Sequence, residues 1–226
     1  MPYQPRVILT GASGVIGCAI ATALLSSTTK LVLAGKDPLK WPKKFQIRAM
    51  SERLFLWSGD LTDESACRDL LSCAVAHMAG VDVLINCAGV FNFASIEDVT
   101  YRQLSTTLNV NLLVPIYMTH LVLPRLKASS CPTIINISSL AGRASVPDGI
   151  CYAASKWGLN GFSYSLRDAL VKDAISVCTL SPGQVATLSP SPPPPQKTIT
   201  PEDVADAVKI VLSQVQKTHC SIDLTL

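Results

Sequence analysis

The chain has 226 residues, of which 48% are hydrophobic and 15% charged, and it carries a formal net charge of +3 at pH 7. This length suits one α/β domain with a well-buried core, so we expect a single domain over residues 1–226. The basic residues are scattered rather than clustered, which argues against a nucleic-acid-binding surface.

Cysteine usage and the lack of long apolar runs bear on location. The eight cysteines include no C-x-x-C pair and no cysteine beside a histidine at ligand spacing, so no metal site is predicted. No apolar run approaches the roughly 18 residues of a membrane span. The first residues lack the hydrophobic region of a signal peptide. We therefore expect a cytoplasmic protein with no membrane partner.

Short apolar runs alternate with amphipathic stretches along the whole chain. The predicted strands are Val7–Thr10, Leu31–Ala34, Leu54–Trp57, Val81–Asn86, Thr133–Ser138 and Ser176–Ser181. The predicted helices are Gly14–Leu25, Glu64–Ala79, Gln103–Lys127, Tyr152–Asp173 and Pro201–Gln214. This alternation predicts βαβ units and a doubly wound parallel sheet, a Rossmann fold of about seven strands.

Two segments fit the alternation poorly. Asp37–Arg53 lies where a crossover helix is expected, yet it holds two prolines and lacks clear helical periodicity. Leu188–Thr200 contains Pro190 and the run Pro192–Pro195, which favours an extended polyproline conformation and is incompatible with a helix.

A tyrosine and a lysine suggest acid/base chemistry. Tyr152 and Lys156 lie four residues apart in a predicted helix, so both side chains project from one face. A tyrosine phenol titrates at about pH 10 in water, and a nearby ammonium favours the phenolate. We therefore expect Lys156 to lower the pKa of Tyr152 toward working pH. Solvated helix faces also carry this spacing, so the pair alone is a weak signal.

A glycine-rich turn, Thr10–Gly17, follows the first predicted strand and opens the first predicted helix. Backbone N–H groups and the helix dipole favour an anion at such a turn, so it predicts a pyrophosphate cradle. A tight turn that simply needs small residues is the alternative.

Several motifs together resemble the short-chain dehydrogenase/reductase family, in the order and spacing of its short, single-domain branch and over residues 6–214. They are the Thr10-Gly11 turn, Asp60-Leu61, Asn86-Cys87-Ala88-Gly89, Asn111, Ser139, Tyr152 with Lys156, and Pro182-Gly183 with Thr187. Ser139 precedes Tyr152 by 13 residues, the interval usual in that branch. One departure is Val15, where the short branch has glycine; Gly14 instead gives the spacing of the longer, epimerase-like branch.

The resemblance implies reversible hydride transfer between a nicotinamide and a carbonyl/alcohol pair. Tyr152 would be the general acid/base, and Ser139 would stabilise charge that develops on the substrate oxygen. Lys156 would lower the pKa of Tyr152 and hold the nicotinamide ribose. Asn111 would support a water chain to the lysine, with Asn109 as the competing candidate.

The implied cofactor contacts follow the carboxyl ends of the strands. They are Gly11, Ser13, Gly14, Ile16, Gly17, Lys36, Asp60, Leu61, Asn86, Ala88, Gly89, Tyr152, Lys156, Pro182, Gly183, Val185 and Thr187. By the resemblance, Gly35 stands where NAD-binding relatives have an acid, and Lys36 where many NADP-binding relatives have a basic residue. NADP(H) is therefore favoured, while Asp37, one residue later, leaves NAD open.

On the substrate side the resemblance gives apolar candidates, with ordinary core or lid packing as the alternative. They are Phe91, Phe93, Leu140, Val146 and Leu188. The proline-rich segment 188–200 would replace the longer helical lid of relatives and indicates a short or open lid over a small-molecule carbonyl or alcohol. Relatives often assemble through the helices at 103–127 and 152–173, so we expect a homodimer, with a tetramer left open.

Three functions are compatible with these residues. The leading one is an NADP-preferring carbonyl reductase or alcohol dehydrogenase. The second is an NAD-dependent alcohol dehydrogenase of the same fold. Whether Lys36 or Asp37 meets the cofactor ribose distinguishes it from the first. The third is a non-catalytic dinucleotide-binding redox sensor or scaffold, which Val15 and the irregular segment 37–53 motivate.

Overall fold

A single parallel sheet forms the centre of the computed structural model, which describes residues 4–25, 29–48, 52–186, 198–218 and 220–226. Its strands are β1 Arg6–Thr10, β2 Lys30–Gly35, β3 Leu54–Ser58, β4 Val83–Asn86, β5 Thr133–Ile137, β6 Ser176–Ser181 and β7 Asp223–Thr225. Their order across the sheet is β3-β2-β1-β4-β5-β6-β7, and every pair is parallel. The predicted doubly wound sheet is confirmed.

Helices cover both faces of the sheet. They are α1 Val15–Leu25, α2 Lys43–Arg48, α3 Glu64–Met78, α4 Tyr101–Leu108, α5 Val114–Leu126, α6 Ile150–Leu170 and α7 Pro201–Thr218. On one face of the sheet, α1 and α7 pack against the strands together with Trp41 and Phe45. On the other face, α3, α5 and the end of α6 pack against the strands. All residues of β5 and β6 are therefore buried, which explains why these strands do not alternate between apolar and polar residues.

The strand order places a crevice beside the first strand. β1 pairs with β2 on one side and with β4 on the other, so the chain leaves β1 and β4 toward opposite faces of the sheet. In open α/β sheets ligands bind at this point, outside the carboxyl ends of the strands. The loops that follow β1 and β4 therefore mark the expected site.

The predicted helix Gln103–Lys127 differs from the observed one in its start and in its middle. Helix α4 begins at Tyr101 because Thr100 and Gln103 form a reciprocal capping box. One π-helical turn, Asn109–Leu113, then joins α4 to α5.

By length and composition alone, the continuous stretch Tyr101–Leu126 is apolar enough to cross a membrane, which the sequence analysis did not anticipate. However, Val114, Met118 and Val122 of α5 are buried in the core between sheet and helices. A core helix of a soluble protein passes the same test, so the stretch is weak evidence for a membrane span.

Two other regions add detail that periodicity did not reveal. In segment 37–53 a 3₁₀ turn, Pro38–Lys40, precedes the short helix α2, and Asp37 caps that turn by accepting the Leu39 N–H. At the other end of the chain, β7 pairs with β6 and supplies the seventh strand, which the sequence analysis did not place. Most of the predicted lid, 188–200, lies outside the described residues.

Candidate active site

The loops after β1 and β4 pack directly against each other. Thr10 is buried, and its Oγ1 accepts the backbone N–H groups of Cys87 and Ala88, each at 3.1 Å. Gly11 has a φ of +68°, and a Cβ there would lie 2.6 Å from the Cα of Ala88. Both the backbone conformation and the close approach require glycine at position 11.

The first helix begins at the exposed residues Gly14 and Val15. A Cβ at Gly17 would lie 2.2 Å from the Gly11 carbonyl oxygen, so Gly17 is required by packing, whereas at Gly14 the same distance is 3.3 Å. The Val15 side chain is 44% exposed, so the turn closes without a glycine at position 15. A bare helix N-terminus with an uncovered glycine beside it fits a pyrophosphate.

At the adenosine end of the expected site, Lys36 and Asp60 form an ion pair. Lys36 Nζ lies 2.7 Å from Asp60 Oδ2. The Thr62 N–H and hydroxyl donate to Asp60 Oδ1 at 3.0 and 2.8 Å. The hydrogen bond from Lys36 is the largest cause that lowers the pKa of Asp60 to about 2, so this carboxylate stays ionised at every physiological pH.

Position 35 is packed so closely that a side chain there would displace its neighbours. A Cβ on Gly35 would lie 2.9 Å from Ser13 Oγ and 3.0 Å from the Trp41 ring. Trp41 is buried and held by a 2.9 Å hydrogen bond from its indole N–H to Ser58 Oγ. The indole thus fills the space that an acid at position 35 would need.

Tyr152 lies in the first turn of α6 and is only 5% exposed. Burial raises the pKa of its phenol above the ordinary value of 10.0, and the nearby Ser139 side chain lowers it in part. The expectation that this pKa lies below its ordinary value is therefore wrong for this structure, because burial outweighs the opposing effect. Burial disfavours the phenolate, and Lys156 Nζ lies 5.7 Å from the centre of the Tyr152 ring.

Lys156 is buried beneath the tyrosine. Its Nζ donates to the backbone carbonyl of Ile137 at 2.9 Å. Burial lowers the pKa of Lys156 from 10.5 to about 8, while the neighbouring Cys87 has the smaller, opposite effect. The same burial raises the pKa of the Cys87 thiol to about 12, so it stays protonated. Lys156 therefore remains largely an ammonium at neutral pH.

Asn111 lies in the π-helical turn and is fully buried. Its Oδ1 accepts the Val90 N–H at 2.8 Å, and its Nδ2 donates to the Val90 carbonyl at 3.0 Å and to Ser155 Oγ at 3.1 Å. Ser155 in turn donates to the Tyr152 carbonyl at 2.7 Å. Asn111 thus ties the loop after β4 to the helix that carries the tyrosine, while Asn109 is exposed.

The side chain of Asn86 takes part in a buried polar chain across the sheet. Its Nδ2 donates to Asn136 Oδ1 at 2.8 Å, and Asn136 donates to Ser163 Oγ at 2.9 Å. Asn86 Oδ1 is buried without a hydrogen-bond partner. The side chain therefore links β4, β5 and α6, while of the following residues Ala88 is half-buried and Gly89 is exposed.

The far wall of the crevice follows β6. The Pro182 carbonyl accepts the Leu140 N–H at 2.9 Å, and the Gly183 N–H donates to the Leu226 carbonyl at 3.0 Å. Val185 forms an isolated parallel bridge with Ile199. The predicted residues Thr187 and Leu188 lie outside the described part of the chain.

Two phenylalanines cover the tyrosine at the mouth of the site. The Phe91 ring centre lies 4.8 Å from that of Tyr152, and the Phe93 ring centre lies 6.3 Å from it. Both phenylalanines are more than 60% exposed, at 62% and 61%. A Cβ on Gly149 would lie 2.9 Å from the predicted substrate residue Val146 and 3.1 Å from Phe93. The mouth is thus apolar and aromatic.

The family model for short chain dehydrogenases matches residues 5–192. The chain belongs to this family. As a short-chain dehydrogenase it is an oxidoreductase that depends on NAD(P), which agrees with the names of its relatives.

Relatives match this short-chain dehydrogenase over most of its length. An uncharacterised oxidoreductase of Staphylococcus aureus is 29% identical over 209 residues, which are 92% of this chain and 90% of that protein. An oxidoreductase of Botryotinia fuckeliana is 29% identical over 179 residues, 79% of this chain and 65% of that protein.

Solved structures show the same fold. The alcohol dehydrogenase of the archaeon Thermococcus sibiricus, in complex with 5-hydroxy-NADP, superposes with a TM-score of 0.88 at 22% identity, covering 99% of this chain and 96% of that one. An apo SCOR enzyme of Clostridium thermocellum superposes with a TM-score of 0.85 at 24% identity, covering 99% and 92%.

Sequence reasoning missed two residues of this short-chain dehydrogenase. Ser155 links Asn111 to the backbone of Tyr152, and its place three residues after the tyrosine in a helix was the available signal. Trp41 closes off position 35, but it lies in a segment without periodicity, so no sequence pattern pointed to it.

Proposed function

We propose that this chain is an NADP(H)-preferring carbonyl reductase or alcohol dehydrogenase, with Tyr152 as its general acid/base. The observation that carries the proposal is the buried Tyr152 phenol, whose pKa the nearby Ser139 side chain partly lowers, with the buried Lys156 Nζ 5.7 Å from its ring centre. A tyrosine, a hydroxyl and a cation converging in a crevice beside the nucleotide-binding turn suit proton transfer to a carbonyl oxygen.

The residues divide the chemistry among them, while the bound nicotinamide supplies or accepts the hydride. Because burial raises its pKa, Tyr152 holds its proton at neutral pH and can donate it to a substrate oxygen during reduction. Ser139 donates a hydrogen bond where negative charge develops on that oxygen. The Lys156 ammonium favours the phenolate left after donation and holds the cofactor ribose.

Two contacts support NADP(H) over NAD(H). Gly35, where an acid would bind the ribose diol of NAD, is closed by Ser13 and Trp41. The Asp37 carboxylate accepts the Leu39 N–H at 2.9 Å as the cap of a 3₁₀ turn, so it is engaged away from the diol role. Lys36 is left as the side chain at the end of β2 that can meet a 2′-phosphate.

Apolar side chains at the mouth favour a carbonyl compound with an apolar or aromatic substituent. Phe91 and Phe93 are exposed beside the Tyr152 ring, and Leu140 is 40% exposed near Gly183. Such a surface gains free energy when it is covered by an apolar substrate.

We propose a cytoplasmic homodimer as the working form. All eight cysteines are free thiols, as suits a reducing compartment. The helical segments through which relatives associate carry exposed apolar side chains, among them Leu113 at 57% and Trp157 at 55%. The mass in solution by light scattering tests this assembly.

The decisive test combines dinucleotide binding with turnover. NADPH and NADH are titrated by fluorescence, and a panel of aliphatic and aromatic carbonyl compounds is then screened for NADPH oxidation. We expect Tyr152→Phe to lower turnover roughly 10²- to 10⁴-fold because it removes the proton donor. Its dissociation constant for NADPH should stay within a factor of about three.

Tyr101→Phe is the matched control, since Tyr101 is 85% exposed. It should leave both turnover and binding unchanged. Tight dinucleotide binding without turnover across the panel, unaltered by Tyr152→Phe, would instead support the redox sensor. A clear preference for NADH would support the NAD-dependent dehydrogenase.

A further inference from the structure

Lys36, the residue proposed to meet a 2′-phosphate, already has an anionic partner within the chain. Its Nζ lies 2.7 Å from Asp60 Oδ2. The pair lies at the carboxyl ends of β2 and β3, and the Gly59 N–H donates to the Gly35 carbonyl at 3.0 Å. The backbone thus fixes the two loops side by side, with one positive and one negative group facing each other.

The two partners differ in how firmly they are held. Asp60 is anchored by two hydrogen bonds from Thr62 to Oδ1, and its backbone carbonyl accepts the Asp63 N–H at 3.0 Å. The Lys36 side chain is 77% exposed, against 43% for Asp60. The carboxylate is therefore a fixed point, and the lysine is the partner that can change position.

We propose that Asp60 acts as an internal competitor for Lys36 and thereby limits how strongly this enzyme prefers NADPH over NADH. A 2′-phosphate would have to share the Lys36 ammonium with a fixed carboxylate and would also be repelled by that carboxylate. NADH, which lacks the phosphate, meets neither effect. The inference rests on the proposed binding of NADP(H) at this crevice.

Asp60 competes for Lys36 at every pH at which the protein can be assayed. The pKa of this carboxyl group is lowered to about 2, so it is anionic throughout the range in which the protein can be assayed. A phosphate monoester gains its second negative charge near pH 6. The ratio of the NADH to the NADPH dissociation constant should therefore rise from pH 5.5 to pH 7.5 through the phosphate alone.

Asp60→Asn tests the proposal because it removes the charge and keeps an acceptor for Thr62. The readout is binding by calorimetry, with NADPH, NADH, and the fragments adenosine 2′,5′-bisphosphate and adenosine 5′-monophosphate. We expect the NADH-to-NADPH ratio of dissociation constants to rise about three- to tenfold, the size expected for one charge at an exposed site. A contact between Asp60 and the adenine would contribute equally to both dissociation constants, because both dinucleotides share the adenine. It would therefore not change their ratio.

Asp173→Asn is the matched control. Asp173 is also part of an ion pair, with Lys127 at 2.9 Å, and its side chain is 33% exposed. The substitution changes net charge equally at the far end of α6, so it should leave the ratio unchanged. An equal rise in this variant would show that overall charge sets the ratio and would overturn the proposal.

The Lys36→Gln background separates competition from simple repulsion. If Asp60 acts through the lysine, Asp60→Asn should change the ratio less in Lys36→Gln than in the wild type. An equal effect in both backgrounds, or no effect in the wild type, overturns the proposal while leaving NADP(H) binding intact. If the wild-type chain binds neither dinucleotide, the proposed function and this inference fall together.

Discussion

The two ends of the crevice differ in how deeply their ionisable side chains are buried. At the catalytic end, Tyr152 and Lys156 are 5% and 4% exposed, and burial is the largest cause of both pKa shifts. At the adenosine end, the Lys36 and Asp60 side chains are 77% and 43% exposed, and their pairing is the largest cause of the low pKa of Asp60. In the proposed function, proton transfer would therefore depend on buried charge that costs stability, and cofactor choice on exposed charge that is easily altered.

The strongest test of this contrast is Lys156→Met. We expect turnover to fall roughly 10²- to 10⁴-fold, because the phenolate loses its neighbouring ammonium. The folded state should nevertheless gain on the order of 1–2 kcal/mol at pH 7, since a buried charge is replaced by an apolar side chain of similar length. Turnover and urea unfolding are measured on the same preparations.

The pH dependence of the free energy of unfolding provides a second test of Lys156→Met. In the folded chain the pKa of Lys156 is about 8, below its ordinary value of 10.5, so between these values the unfolded chain binds more protons. The free energy of unfolding of the wild type, relative to the variant, should thus rise from pH 8 to pH 10.5. Lys172→Met, at an exposed position, should not show the gain in stability. A destabilised Lys156→Met protein would contradict the assigned cost of burial.

Asn111→Leu should have the next largest effect, on stability rather than chemistry. It would leave the Val90 N–H and carbonyl without their partner and remove the bond to Ser155. Buried polar groups left unpaired cost about 1–3 kcal/mol each, so we expect a loss of roughly 2–4 kcal/mol in urea unfolding.

The neighbouring asparagine provides the control for that variant. Asn109 lies in the same π-helical turn but is exposed, so Asn109→Leu should change stability by less than about 0.5 kcal/mol. Equal losses in both variants would mean that the turn itself, rather than the buried hydrogen bonds, responds to substitution.

What could be predicted from the sequence also differs between buried and exposed parts of the chain. Buried strands such as β5 were predicted because a strand covered on both faces is rich in apolar residues. β7 was not placed, since its three residues are partly exposed and too few to show a period. The π-helical turn at Asn109–Leu113 also escaped, because the residues on both sides of it keep helical spacing.

Motif spacing predicted that Tyr152 and Lys156 lie close together, but not the direction of their pKa shifts. The pair Tyr152 and Lys156 is visible as four-residue spacing, whereas the desolvation that raises the pKa of the tyrosine comes from packing against distant residues such as Phe91. The Lys36–Asp60 pair is likewise a contact between loops 24 positions apart. Burial and loop-to-loop contact are tertiary properties, so spacing alone did not predict them.

Phe91→Ala is the mildest test, because it alters the burial of Tyr152 without changing Ser139 or Lys156. The Phe91 ring lies 4.8 Å from the Tyr152 ring, so its loss should expose the phenol and lower its pKa. In carbonyl reduction the protonated tyrosine is the active form. The alkaline limb of kcat/KM should therefore move to lower pH.

Phe93→Ala should shift that limb less, because the Phe93 ring is farther away, at 6.3 Å. Tyr101→Ala, which removes an exposed aromatic residue, should not shift it. In alcohol oxidation the phenolate is the active form, so the acidic limb should move in the same direction as the alkaline limb does in reduction. If the limbs moved in opposite directions, a group other than Tyr152 would be the titrating acid/base, and burial would not be the property that sets the working pH at this end of the crevice.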